Sequence, residues 1–232
     1  MTQVATNGEE RPNGHEQRSS ETRNRLIATA IEVFAAVGYD AASTRMLTKK
    51  AKVNLSTIPY HFGGKHELYL AAAEEIADYA RGQLDLISAP LEDASTGAAS
   101  SRLEAALSRF LRLIVGEKEP RAWTAFLARC VHDNDEAFHI IHDNALPRFQ
   151  KALVEIVAEI SGGNPKDERI RLRVSALITW ITSFRVLRGL TLRSVGSDRF
   201  SAKRIEQLDV MIREFARSDF LIGSEVPRKL RR

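Results

Sequence analysis

The sequence predicts an all-α protein of about nine helices. Apolar residues recur at one-turn spacing from Leu26 to Phe215, no stretch alternates apolar and polar residues in the manner of a half-buried strand, and no β-hairpin signal interrupts the pattern.

Residues 1–19 are polar, rich in Gly, Asn, Glu and Ser, and without periodicity, which predicts a disordered arm. Ser20 is a suitable N-cap for a first helix carrying Leu26, Ile27, Ala30, Ile31 and Phe34, which Gly38 should stop. Ser43 caps a short second helix, Thr44 to Ala51, with Leu47 and Ala51 inward. Asn54 caps a third, from Leu55 to about Phe62, ended by Gly63 and Gly64. A fourth runs from Lys65 to about Ser88, with Leu68, Ala72, Ile76, Ala80 and Leu84 on one side. After a loop at 89–99, Leu103, Leu107, Phe110 and Ile114 mark the next helix. Pro120 opens another with Trp123, Phe126, Leu127, Cys130 and Val131. A longer one, Phe138 to Ile160, should break or kink at Pro147. The run Ser161-Gly162-Gly163-Asn164-Pro165 is a turn, and two long helices follow at about 167–194 and 201–217.

With 232 residues, 44% of them hydrophobic, the chain can bury a full core. No apolar run approaches the ~20 residues that span a bilayer, so no membrane partner is expected. The N-terminus lacks a basic start followed by an apolar stretch, which argues against a secretory signal. A single cysteine, Cys130, excludes an internal disulfide or a cysteine zinc cage and suits a reducing cytoplasm. The net charge of +4 is unevenly spread. Residues 1–17 carry −2, residues 18–66 carry +5, and the remainder only +1. A local excess of this kind is the footprint of a polyanion, although a solvated helix face can produce it too.

The basic segment holds two short helices joined by Lys52-Val53-Asn54, the pattern of a helix-turn-helix spanning about 43–62. Leu47, Ala51, Val53, Ile58 and Phe62 supply its core, while Asn54, Ser56, Thr57, Tyr60 and His61 are polar. Hydroxyls, a phenol, an imidazole and backbone N–H groups are good phosphate ligands, and Lys65 can reach the same DNA backbone. The run STRMLTKKAKVNLSTIPYHFGGKHELY resembles the DNA-binding domain of TetR/AcrR transcriptional regulators over about residues 20–80. The resemblance implies a homodimer whose recognition helices read a palindromic double-stranded operator, usually as a repressor released by a small-molecule effector. By position, Thr44, Tyr60, His61 and Lys65 match phosphate contacts of that family. Arg45 matches a position that reaches a base, and Asn54, Leu55, Ser56 and Thr57 match the tip of the recognition helix. Two departures stand out: Lys52 replaces a usual turn glycine, and Pro59 replaces a tyrosine that contacts DNA. Pro59 should tighten or bend the helix, and Lys52 should make the turn with some strain.

Residues 81–232 carry no motif with chemistry of its own, and resemble the C-terminal halves of the CecR and AefR subgroup. They are read as a ligand-binding and dimerisation domain. The resemblance places a dimer interface on the last two long helices, at Leu172, Ala176, Thr179, Ser183, Leu187 and Leu190 on the first, and Leu208, Ile212 and Phe215 on the second. An effector cavity among the middle helices would use Phe110, Trp123, Phe126, Trp180 and Phe184, with His142 or Arg185 orienting a polar group. His139 and His142 are spaced as helical metal ligands but lack a second carboxylate–histidine pair, so no metal or other cofactor is expected. No nucleophile–base pair, paired carboxylates or phosphate loop points to an enzyme. A helical scaffold or ligand-binding protein without DNA binding is the alternative, and it leaves the basic segment unexplained.

Overall fold

The computed structural model describes residues 14–116 and 120–218, which form eleven α-helices and no strand. Most of the expected N-terminal arm lies outside the described residues. Where it is described, the expectation needs correcting: α1 runs Gly14–Ala41, so residues 14–19 are helical. Once the core-packed turns from Leu26 onward are fixed, a helix propagates through exposed polar residues at little cost per residue, and no cap at Ser20 is needed. At Gly38 the backbone leaves the helix (φ 81°, ψ 170°), as its glycine predicts.

α2 (Thr44–Ala51) and α3 (Thr57–Phe62) follow, then the long α4 (Lys65–Glu92) and a single 3-10 turn at Ala94–Thr96. The remaining helices are α5 (Ala99–Val115), α6 (Arg121–Asp133), α7 (Glu136–Ala145), α8 (Pro147–Ser161), α9 (Glu168–Val186), α10 (Arg188–Ser194) and α11 (Ala202–Arg217). The helix count exceeds nine because two predicted helices each divide. Pro147 begins α8, where its missing N–H is no loss, and so separates it from α7. Leu187 leaves helical geometry (φ −100°, ψ 25°) without a proline or glycine at that position, so the apolar period runs through the break between α9 and α10 unmarked. Among the described residues, no helix is long and apolar enough to cross a membrane.

The buried side chains form two cores, and α4 belongs to both. The first gathers α1, α2, α3 and the start of α4 around Phe34, Leu47, Ile58 and Leu68. It also takes Phe126 and Cys130 from α6 and Ala137 and Ile141 from α7. The second packs the end of α4 with α5, α8, α9 and α11. Polar ties reinforce the seating of α6 on the first core. Arg129 donates through Nε to the Ala35 carbonyl (2.9 Å) and through Nη2 to that of Ala36 (3.0 Å) at the end of α1. The Tyr69 hydroxyl of α4 donates to Asp135 Oδ2 (2.5 Å) and lies 3.3 Å from Cys130 Sγ. Burial first, and that bond second, push the Tyr69 hydroxyl far above its ordinary range. Burial likewise pushes the Cys130 thiol up to about 12, with the Tyr69 bond pulling the other way.

Candidate nucleic-acid interface and inner chamber

The helix-turn-helix is built on Ser43, whose hydroxyl accepts from the Met46 N–H (3.1 Å) and caps α2. Leu47, Thr48 and Ala51 turn inward, and Ile58 of α3 is fully buried against them. The turn between them closes at Lys52, which adopts the left-handed conformation (φ 55°, ψ 48°) with its N–H on the Lys49 carbonyl. The Val53 N–H returns to the Thr48 carbonyl (3.0 Å), completing a helix C-cap that glycine usually makes. The strain expected at Lys52 is therefore present as a positive φ in a residue with a Cβ.

Pro59 shortens α3 instead of bending it. A residue here would donate to the Leu55 carbonyl; without that N–H, the first α-helical bond runs from Tyr60 to Ser56 (3.1 Å). Regular helix consequently starts at Thr57, two residues after the predicted Leu55, and Asn54 to Ser56 form a turn closed by Thr57 N–H on the Asn54 carbonyl. At the third position of a helix a missing donor is among those left unpaired anyway, so the proline costs little.

Most of the sequence-predicted contacts come together on one outward surface. Arg45, Asn54, Leu55 and Ser56 are exposed, Thr44, Thr57 and His61 are half-buried, and Tyr60 is 75% exposed. The Tyr60 and His61 rings meet edge to face at 4.9 Å, which steadies both. Lys65 is placed differently from the others. Its ammonium donates to the Tyr39 and Ala42 carbonyls (3.0 Å each) and sits 4.2 Å from the centre of the Tyr39 ring. Two of its three donors hold the end of α1 against α4, leaving one for a phosphate. Arg23, to which the sequence assigns no role, places its guanidinium over the Phe62 ring at 5.3 Å beside α3. Its only signal was membership of the basic segment.

The second site is a chamber of about 240 Å³ where the two cores meet. Ile76 and Ile141 of the first core and Leu84, Phe110, Phe149 and Ile178 of the second line it together. Of the predicted cavity residues, Phe110, Trp123, His142 and Arg185 line the chamber, and Phe126, Trp180 and Phe184 do not. Phe126 packs on the Tyr69 ring (5.2 Å) inside the first core. Trp180 packs on Phe215 (5.2 Å) and Phe184 on Phe200 (6.5 Å), toward α11 and the segment before it. Tyr79, Gln83 and Thr124 line the chamber unforeseen, because polar residues on a helical face carry no mark of facing a void. His142 pairs through Nδ1 with Asp143 (2.8 Å), and His139 is exposed. Among the described residues no cluster of three His, Cys, Asp or Glu could hold a metal.

On the last helices, Leu172, Ala176, Thr179, Leu187 and Leu190 form an exposed stripe, with Ser183 half-buried beside it. The expectation for α11 does not hold in the same way. Ile212 is fully buried, and Leu208 and Phe215 pack against the second core, so that stripe faces its own chain. The exposed apolar residues of α11 are Val210 and Met211.

Residues 26–72 match the family described as bacterial regulatory proteins, tetR family. Residues 99–221, more than half of the chain, match the C-terminal domain of the HTH-type transcriptional dual regulator CecR. The chain is 26% identical over 200 residues to CecR of Shigella flexneri, covering 83% of this chain and 88% of that protein. A tetR-family regulator from Rhodococcus RHA1 superposes with a TM-score of 0.61 at 22% identity, over 89% of this chain and 99% of the other. Another, from Streptomyces coelicolor, gives 0.59 at 21% identity, over 88% and 97%. At these identities the structural likeness is one of fold.

Proposed function

This chain belongs to the TetR family of bacterial transcriptional regulators, with a C-terminal domain of the CecR type, and from that premise we propose that it is a homodimeric repressor that leaves a palindromic operator when a small molecule fills its inner chamber. Members of the family are regulators and not enzymes. The observation that carries the reading is the pairing, in one chain, of an outward polar and aromatic surface on α2 and α3 with a chamber lying along α4. α4 starts at the recognition unit and ends in the second core, so a ligand that spreads the chamber walls acts on the helix that carries α3.

In this account Arg45 and the Asn54–Thr57 tip meet base edges in the major groove, while Thr44, Tyr60, His61 and the remaining Lys65 donor meet phosphates. The exposed stripe that runs from α9 across the break at Leu187 into α10 packs on its copy in the partner, with Val210 and Met211 of α11 in place of the inward Leu208, Ile212 and Phe215. The small residues Ala176, Thr179 and Ser183 let the helices approach closely. A dimer sets two recognition units one helical turn of DNA apart, or a multiple of it, as a palindrome requires.

A gel shift on DNA flanking the chain's own gene, repeated across a salt series, tests the proposal. A retarded band that weakens steeply with salt and gives a two-fold symmetric footprint is the expected result. Binding that is equal on unrelated DNA, or absent at low salt, contradicts it.

A further inference from the structure

We infer that the ligand of the chamber is uncharged: an apolar body with one hydroxyl, ketone or amide group, held by Gln83 and Thr182. This deepens the effector reading above and rests on it for the chamber's role.

The grounds lie in which polar groups the wall presents. Gln83 stands on α4 one turn after Ala80, and Thr182 on α9 one turn after Ile178, so each lies on the face that its own helix turns to the chamber. Both are half-buried, and among the described residues neither side chain makes a hydrogen bond within the chain. Other polar groups of the wall are occupied. Thr124 Oγ1 accepts from Arg185 Nε (2.8 Å), and His142 pairs through Nδ1 with Asp143 (2.8 Å). Arg185 is bonded to its own chain there, and its Nη1 also lies 3.4 Å from the Leu113 carbonyl oxygen. Among the described residues no Asp, Glu or Lys lines the chamber. Most of the remaining wall is aliphatic or aromatic, as at Leu84, Phe110, Leu127 and Phe149.

Charge decides first. An ammonium in the chamber meets no carboxylate, and a carboxylate must displace bonds that Arg185 already makes. A charge taken from water to an apolar wall without a partner is strongly disfavoured. An uncharged polar group carries no such penalty, and it finds two open partners. A carboxamide and a hydroxyl can each donate and accept, so Gln83 and Thr182 together satisfy a hydroxyl, a ketone or an amide. Size is set by the chamber: about 240 Å³ is on the order of eight times the ~30 Å³ share of a water in the liquid. That suits a medium-chain or single-ring molecule.

Octanamide, octanoate and octylamine share one chain length and differ in the head group, and Trp123 in the chamber wall reports on all three. In a Trp180→Phe background Trp123 is the sole tryptophan of the full-length chain. Titration at neutral pH should show octanamide binding at least about tenfold more tightly than either charged probe, because each of those brings an unpaired charge. Thr182→Val and Gln83→Leu should each weaken octanamide by about two- to tenfold, as for one hydrogen bond between neutral groups. Thr182→Ser keeps the hydroxyl and should bind octanamide as the parent does. If Gln83→Leu does not fold, judged by its melting curve, the two Thr182 variants decide. Octanoate or octylamine binding as tightly as octanamide overturns the uncharged assignment while leaving the chamber as an effector site. Octanamide affinity that survives Thr182→Val and Gln83→Leu overturns the assignment of those two residues. Failure of all three probes to bind overturns the effector reading along with it.

Discussion

The helix-turn-helix and the chamber use the same residue types in opposite ways. In the first, apolar side chains such as Leu47 and Ile58 close on one another and polar side chains such as Tyr60 are left to the outside. In the second, apolar side chains such as Leu127 and Phe149 line a space, and the polar ones among them face inward. A surface that reads a polymer is made by exposing chemistry. A site that holds a small molecule is made by leaving packing incomplete, and packing density is the quantity that separates the two regions.

Truncating the fully buried Ile58 in one region and the half-buried Leu127 in the other tests that difference most strongly. Ile58→Ala should destabilise the protein by about 3 kcal/mol, because it opens a cavity in a filled core. Leu127→Ala, at the chamber wall, should cost about 1 kcal/mol, because part of that side chain already lacks neighbours. Equal losses in urea unfolding would mean that the chamber is as well packed as the recognition unit, and would break the comparison.

Lys65→Ala sharpens it on the recognition side. Two charge-assisted bonds to the Tyr39 and Ala42 carbonyls are lost, and the expected cost is about 1–2 kcal/mol in a half-buried setting. Operator binding should weaken as well, with the ranking of single-base operator variants kept. A variant as stable as the parent would make Lys65 a phosphate contact alone. Lys52→Gly should act in the opposite direction. Removing the Cβ from a left-handed position relieves roughly 1 kcal/mol of strain, less the entropy glycine adds to the unfolded chain. A lower melting temperature for this variant would show that the turn is relaxed as it stands.

Cys130 gives the smallest effect and reports on how α6 opens from α4 within the first core. With its thiol pushed up to about 12 by burial, only about one molecule in ten thousand carries the thiolate at pH 8. An aromatic disulfide reagent should therefore react with the folded protein far more slowly than with the chain in urea. The raised value favours the folded state below the ~8.5 of an unfolded thiol, and that contribution is lost as pH climbs toward 12. Rapid modification at pH 8 would show that α6 lifts from α4 readily.

How much of this was legible in the sequence follows the same division. Ser43, Leu47, Ile58 and Gly38 announced their places because caps, one-turn spacing and a stop residue are local signals. Pro59 announced a disturbance but not its form, since its effect depends on which helix position it occupies. The chamber was half legible. Phe110 and Trp123 line it and Phe126 does not, though all three show the same period. Which apolar face meets a void is decided by where two cores fail to close, and that is a property of the whole chain. Ile212 misled for a related reason: a stripe on a terminal helix reads alike whether it faces a partner or its own core.

The central claim is that the surface of α2 and α3 reads DNA, and Tyr60 tests it most directly. Tyr60 is 75% exposed and its ring lies edge to face on the His61 ring, so removing it should leave the fold alone. Fluorescence anisotropy of the labelled operator, titrated with parent and Tyr60→Ala protein in one buffer, is the measurement. A loss of roughly tenfold in affinity, equivalent to about 1.4 kcal/mol, with the melting temperature unchanged, is the predicted result. Operator affinity equal to that of the parent would contradict the account.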